Sequence, residues 1–165
     1  MRNKWKRRAW GLAVVAVVVL QLFQPARNNP RTDPASTFEG AVQPPQEVAA
    51  ILNRSCHDCH SNQTAWPWYS RVSPVSWVLV RDVRQGRAHI NVSDWRGLTL
   101  QATNSRMIDV CTETKKGEMP PWYYLPLHRQ AKLSPRDVET LCSWPGEFTV
   151  PVAAPDLGAK AKGRE

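Results

Sequence analysis

This chain has no segment of sustained apolar–polar alternation, no internal repeat, and no apolar run as long as the ~20 residues that comfortably cross a bilayer. The first absence argues against half-buried strands and leaves helices and loops. Without strand–helix–strand alternation there is also no βαβ context, so a thioredoxin-like dithiol protein lacks its scaffold. Acidic residues are missing where the basic ones crowd. Of a formal net charge of +8, residues 1–8 carry five basic and no acidic side chains. Residues 46–145 hold 12 Lys plus Arg against 9 Asp plus Glu, a balance of only +3. The pI near 9.7 is therefore mostly a topology signal, not a nucleic-acid footprint, and no nucleic-acid partner is expected.

Cysteine and histidine are scarce, at four each, yet four of the eight fall in one pentad, Cys56-His57-Asp58-Cys59-His60. Chance would give roughly 0.002 such C-x-x-C-H pentads in a chain of this composition. The pattern is the attachment signature of c-type haem: two thiols add across the porphyrin vinyl groups and the following imidazole supplies the proximal iron ligand. Residues three and four apart share a helix face, so both sulfurs and the ring can reach one flat macrocycle. The competing chemistries are a dithiol couple and half of a zinc site. The zinc reading needs further ligands, and Cys111 and Cys142 stand singly, without C-x-x-C or H-x-x-x-H partners.

The N-terminal cations Arg2, Lys4, Lys6, Arg7 and Arg8 precede an apolar run from Ala9 to Phe23, interrupted by Gln21. A basic flank followed by an apolar run is an export signal or a membrane anchor. The short run favours a signal core; the exit through Gln24-Pro25-Ala26 offers no small-x-small cleavage pattern and favours an anchor. Snorkelling by the flanking Lys and Arg, with Trp5 and Trp10 at the interface, can lengthen the span. The expectation is a single-pass, cell-membrane protein with the rest of the chain on the extracytoplasmic (periplasmic) side, or an exported soluble form if the segment is cleaved.

Four regions follow. Residues 1–23 are the basic flank and anchor, 24–45 a proline-rich tether with too few apolar residues to pack, 46–145 one domain, and 146–165 a disordered tail. The domain is expected to be all-α, a small helical fold wrapped around a cofactor that supplies much of its core. Val48, Ile51 and Leu52 mark a helix over 46–54. Ser73-Pro74 reads as an N-cap and first helical position for a helix burying Val75, Val78, Leu79 and Val83 and stopping near Gly86. A third helix over about 100–116 groups Met107, Ile108 and Cys111 and ends at Gly117. The last starts at Ser134-Pro135, buries Val138, Leu141 and Cys142, and stops at Pro145-Gly146.

A haem iron has a sixth position to fill or leave open. Gly117-Glu118-Met119-Pro120-Pro121 offers Met119, since a methionine sulfur opposite histidine raises the reduction potential and two prolines fix the backbone beside it. Met107 lies within a helical stripe and reads as core. His89 and His128 read as loop histidines and alternative ligands, and His57 points away from the iron. Trp66, Trp68 and Tyr69 can cover a porphyrin and bond a propionate, or simply pack. Arg87 and Arg71 can pair with propionates or stay solvated. In an oxidising compartment the leftover Cys111 and Cys142 are expected to form a disulfide flanking the Met119 loop.

The blocks Cys56-His57-Asp58-Cys59-His60-Ser61-Asn62, Thr64-Ala65-Trp66-Pro67-Trp68-Tyr69-Ser70, Pro74-Val75-Ser76-Trp77, Gly86-Arg87, Asn91 with Ser93 and Trp95, Gly117-Glu118-Met119-Pro120-Pro121, Tyr124, His128, Leu133-Ser134 and Trp144 occur in order. Through them the chain resembles the bacterial haem-binding domain family, over about residues 46–145. The resemblance implies one covalent haem c outside the cytoplasm, with His60 as proximal and Met119 as distal ligand. It names no redox partner. The expectation from residues and resemblance together is an electron carrier rather than an enzyme. A haem sensor or peroxidase-like protein with His128 as distal acid–base group, and a dithiol–disulfide oxidoreductase, are the alternatives.

Overall fold

The computed structural model describes residues 2–146 and contains, among them, seven α-helices and no strand. In chain order these are α1 (Arg2–Gln21), α2 (Phe38–Val42), α3 (Gln46–Ser55), α4 (His57–His60), α5 (Val75–His89), α6 (Leu100–Lys116) and α7 (Pro135–Ser143). Short 3-10 turns at Pro34–Ser36, Trp68–Arg71, Arg129–Ala131 and Trp144–Gly146 punctuate the loops. The tail expected from residue 146 onward lies outside the described residues, apart from the backbone of Gly146.

Local chemistry sets the boundaries. In α3, Val48, Ile51, Leu52 and Ser55 are buried along one stripe, with Glu47 in the first turn and Arg54 in the last, the charges that the helix dipole favours. The Thr99 side chain accepts from the Ala102 amide to start α6, and Gly117 at φ 74° ends it in the left-handed region. Ser134 and Asp137 form a reciprocal capping box on α7. Cys111 and Cys142 are joined by a disulfide, their Cα atoms 4.8 Å apart, which fixes α6 against α7.

One core lies on the α3, α6 and α7 side. Phe38 packs edge-on against Trp95 (ring centroids 4.6 Å apart) and Trp144 (5.4 Å), surrounded by Val48, Ile51, Leu52, Met107 and Leu141. Cys56 rests against this cluster. The pentad is thus seated on the core through α3, with α5 packed along its other side.

Three expectations need correction. The stretch read as a tether is folded onto the domain. Phe38 is in the core, and residues 21–29 form a strap held by polar contacts rather than apolar ones. The Gln21 side chain bonds both backbone groups of Ser73; the Phe23 carbonyl accepts from the Trp77 indole (2.7 Å); Arg27 donates to the Ser70 carbonyl (2.9 Å) and Asn29 to that of Thr64 (3.0 Å). Counting apolar residues missed it because backbone carbonyls of the domain supply its binding energy. Second, α5 begins at Val75 with no side-chain cap from Ser73, whose hydroxyl is instead bonded by Gln24 (2.7 Å). Its buried stripe is Ser76, Val80, Val83 and Gly86, while Val75 and Val78 remain 46% and 41% exposed. Third, Ile108 is exposed, and Met107 is buried with Thr103 and Thr114 instead. No helix among the described residues is long and apolar enough to cross a membrane; the first third of α1 carries the cations.

Candidate functional site

Cys56 ends α3 and begins α4, and its carbonyl accepts from the amides of both Cys59 (3.2 Å) and His60 (3.0 Å). The pentad is therefore wound into one turn that carries Cys59 and His60 round from Cys56. Neither Cys56 nor Cys59 is in a disulfide, and both are half-buried.

The loop after α5 holds this turn from outside. His60 Nδ1 lies 3.0 Å from the Ile90 carbonyl oxygen, a geometry in which the ring donates from Nδ1 and keeps the Nε2 lone pair for a metal. The Val92 amide donates to the His60 carbonyl (2.7 Å) and the Phe38 amide to the Val92 carbonyl (2.7 Å). Asn91 bonds Asn62, the Asn62 amide bonds Ser93, and the Ser93 amide returns to Asn91. Burial holds the His60 imidazole below its ordinary pKa, with the backbone bonds to Ile90 and Gly86 partly offsetting it, so the ring is neutral and able to ligate. Gly86 is where α5 touches the pentad: a Cβ there would lie 2.7 Å from the Cys59 carbonyl oxygen and 3.4 Å from His60 Cε1. Glycine is required by that approach.

Asp58, between the two cysteines, is a node that the sequence did not announce. Its carbonyl accepts from Thr64 (2.7 Å), one carboxylate oxygen from the Ala65 amide (3.2 Å) and the other from the Tyr124 phenol (2.9 Å). Tyr124 stacks on His128 (centroids 4.0 Å apart), and the Tyr69 phenol is hydrogen-bonded to His128 Nε2. Burial and the Asp58 bond both press the Tyr124 phenol toward its neutral form. These three aromatics, with Pro67, Leu79 and Val83, wall a cleft beside Cys59. Tyr123 donates to Asp82 on α5 (2.9 Å).

The methionine loop is anchored where it leaves α6: the amides of Glu118 and Met119 both donate to the Glu113 carbonyl (3.1 and 3.3 Å). Met119 is 38% exposed, and Trp122 and Tyr123 of the same loop are exposed too. Val75 and Val78 of α5 are partly exposed as well.

Other expected site residues are placed differently. Trp68 is 76% exposed on the surface, and the Trp66 indole donates to Asn29 of the strap (3.0 Å). Arg87 spends its fork on protein: it donates to the carbonyls of Ser61 (2.6 Å) and Asn28 (2.7 Å) and to the side chains of Asn29 and Thr64. It clasps the strap to the segment that follows the pentad. His57 turns back to Ser61 and lines a separate cavity with Phe38, Leu52 and Val92. His89 is exposed.

Thiol electrostatics separate the chemistries. Burial, reinforced by Cys59 and eased by Arg54, pushes Cys56 up to about 12; burial, Asp58 and Asp82 push Cys59 up to about 11 against Arg87. Reactive dithiols have lowered thiol pKa values, so this environment does not suit thiol–disulfide exchange.

A helical domain that winds two unpaired thiols and a neutral, oriented imidazole into one turn beside an aromatic cleft is a haem-binding module. The chain belongs to the haem-binding domain family, whose model matches residues 15–147 and so takes in the strap and Phe38 as well as the pentad and the methionine loop. No curated protein and no solved structure matches it.

Proposed function

We propose that this chain is an extracytoplasmic mono-haem protein of c type that carries single electrons, with the haem covalently held by Cys56 and Cys59. The observation that carries the reading is the His60–Ile90 bond on the pentad turn, which fixes the imidazole tautomer and orientation needed for axial ligation. Cys56 and Cys59 would hold the haem through their sulfurs, each thiol adding S and H across one vinyl group, and His60 Nε2 would ligate the iron. Met119 supplies the distal sulfur from a loop anchored at the α6 C-terminus. When bound, the haem supplies the one-electron couple, and the protein sets its potential, access and orientation. The family fits a binding module. His128, the acid–base candidate for a peroxidase-like reading, has its Nε2 engaged by Tyr69 and its ring covered by Tyr124.

The membrane reading rests on α1. Leu12, Val14, Val15, Val17 and Val18 are exposed around its apolar part, and a helix apolar on all sides is stable in an apolar environment. The cations ahead of it set the orientation, with the haem domain on the far side. The partner that gives or takes the electron is a protein of unassigned identity.

The test is co-expression with covalent haem-loading machinery. Haem should remain on the polypeptide through denaturing extraction at one per chain, be lost in the Cys56→Ala, Cys59→Ala double variant, and titrate as a reversible one-electron couple. Haem that leaves on denaturation would contradict covalent attachment. Membrane fractionation of the full chain, with resistance to alkaline extraction, tests the anchor.

A further inference from the structure

We infer that Asp58 is a positioning residue for the iron's distal ligand: through Tyr124 it latches the Met119 loop onto the turn that carries the thiols and the proximal imidazole. The inference rests on Met119 being that ligand. The loop is held at two places. At its start, the Glu118 and Met119 amides share the Glu113 carbonyl at the end of α6, and α6 is itself fixed to α7 by the Cys111–Cys142 bridge. Beyond the two prolines, consecutive phenols reach two different carboxylates, Tyr123 to Asp82 on α5 and Tyr124 to Asp58 inside the pentad (2.9 Å each).

The Asp58 tie joins the methionine loop directly to the pentad turn, because Asp58 lies two residues before His60 in that turn. Its carboxylate is oriented by the Ala65 amide and its carbonyl by Thr64, so it is a fixed acceptor. Tyr124 is fixed in turn by its stacking on His128. A sulfur ligand is held by its backbone, and a loop held at its far end by the Tyr123–Asp82 bond alone exchanges that sulfur for an outside ligand more readily. A residue inside the attachment motif, usually regarded as a spacer, thus sets how firmly the sixth position is closed.

The experiment uses the haem-loaded full chain and imidazole as the competing ligand, titrated against wild type, Tyr124→Phe, Asp58→Asn and Met119→Ala. Phenylalanine keeps the ring on His128 and removes only the hydroxyl, and charge-assisted bonds of this kind correspond to about a tenfold change or more in an equilibrium. The expected result is imidazole affinity raised about tenfold in Tyr124→Phe and Asp58→Asn, with haem content and helical signal unchanged, and raised further in Met119→Ala. Imidazole affinity in Tyr124→Phe equal to wild type, with Met119→Ala raised, would overturn the latch alone. Equal affinity in wild type and Met119→Ala would overturn methionine ligation and the latch with it.

Discussion

The His60 ring and the Ile90 carbonyl meet across 30 residues of sequence at 3.0 Å, and α5, which spans that separation, can approach closely enough to bring them together only because it carries Gly86 against the Cys59 carbonyl. Helix α5 is thus the ruler between the ligand and the group that orients it. Gly86→Ala should force the new methyl group against the Cys59 backbone, which cannot yield as a flexible side chain would. A loss of about 1–3 kcal/mol in stability is expected, with poorer haem loading, read by thermal melts and by haem per chain. An alanine variant that melts and loads like wild type would show that the contact is not tight in solution.

Arg87 joins the strap to the segment that follows the pentad, and its bonds use the planar fork of guanidinium. Lysine cannot reproduce that geometry, so Arg87→Lys should cost roughly 2 kcal/mol and free residues 24–30 for proteolysis. Limited digestion followed by mass spectrometry locates the cut. Cleavage confined to other loops would argue that the strap is held without Arg87.

The disulfide closes a separation of 31 residues around the methionine loop. Replacing both cysteines by serine should lower unfolding stability by roughly 3–4 kcal/mol in the chain-entropy model. Haem attachment should persist, since the proposed attachment residues are Cys56 and Cys59. Denaturant unfolding of the oxidised and doubly substituted proteins measures the difference.

Asp137 is predicted to govern acid stability of the last helix. Burial disfavours its charge, but the Ser134 backbone and hydroxyl bonds and Arg54 outweigh it, and its pKa is lowered. A carboxylate depressed in the folded state contributes stability that is present above its unfolded pKa and lost as pH falls through the folded value. Asp137→Asn should therefore cost about 1 kcal/mol at neutral pH, and the gap from wild type should close below about pH 4. A gap that is constant with pH would assign the effect to packing.

The all-α class and the haem-binding family were legible because helix stripes, caps and the pentad are local. The α3 stripe, the Gly117 stop and the Ser134 start all depend on residues within one or two turns. What was not legible depends on distant partners. Asp58 looks like a spacer until Tyr124 arrives from 66 residues away, and Arg87 meets Asn28 and Asn29 only through the strap. Val75 and Val78 were expected inside by periodicity; the stripe that faces the pentad is rotated from them because Gly86 and Val83 must pack there. The polar strap carries no periodic signal, and Phe38, buried in the core, was not singled out because it stands isolated among proline and polar residues.

The account turns on the iron lying between His60 and Met119, and the oxidised near-infrared spectrum of the haem-loaded chain tests this most directly. Wild type should show a low-spin, six-coordinate iron with the methionine–iron charge-transfer band, and Met119→Ala should lose that band while keeping its covalent haem. A Met119→Ala spectrum identical to wild type, or a high-spin wild type, would contradict it.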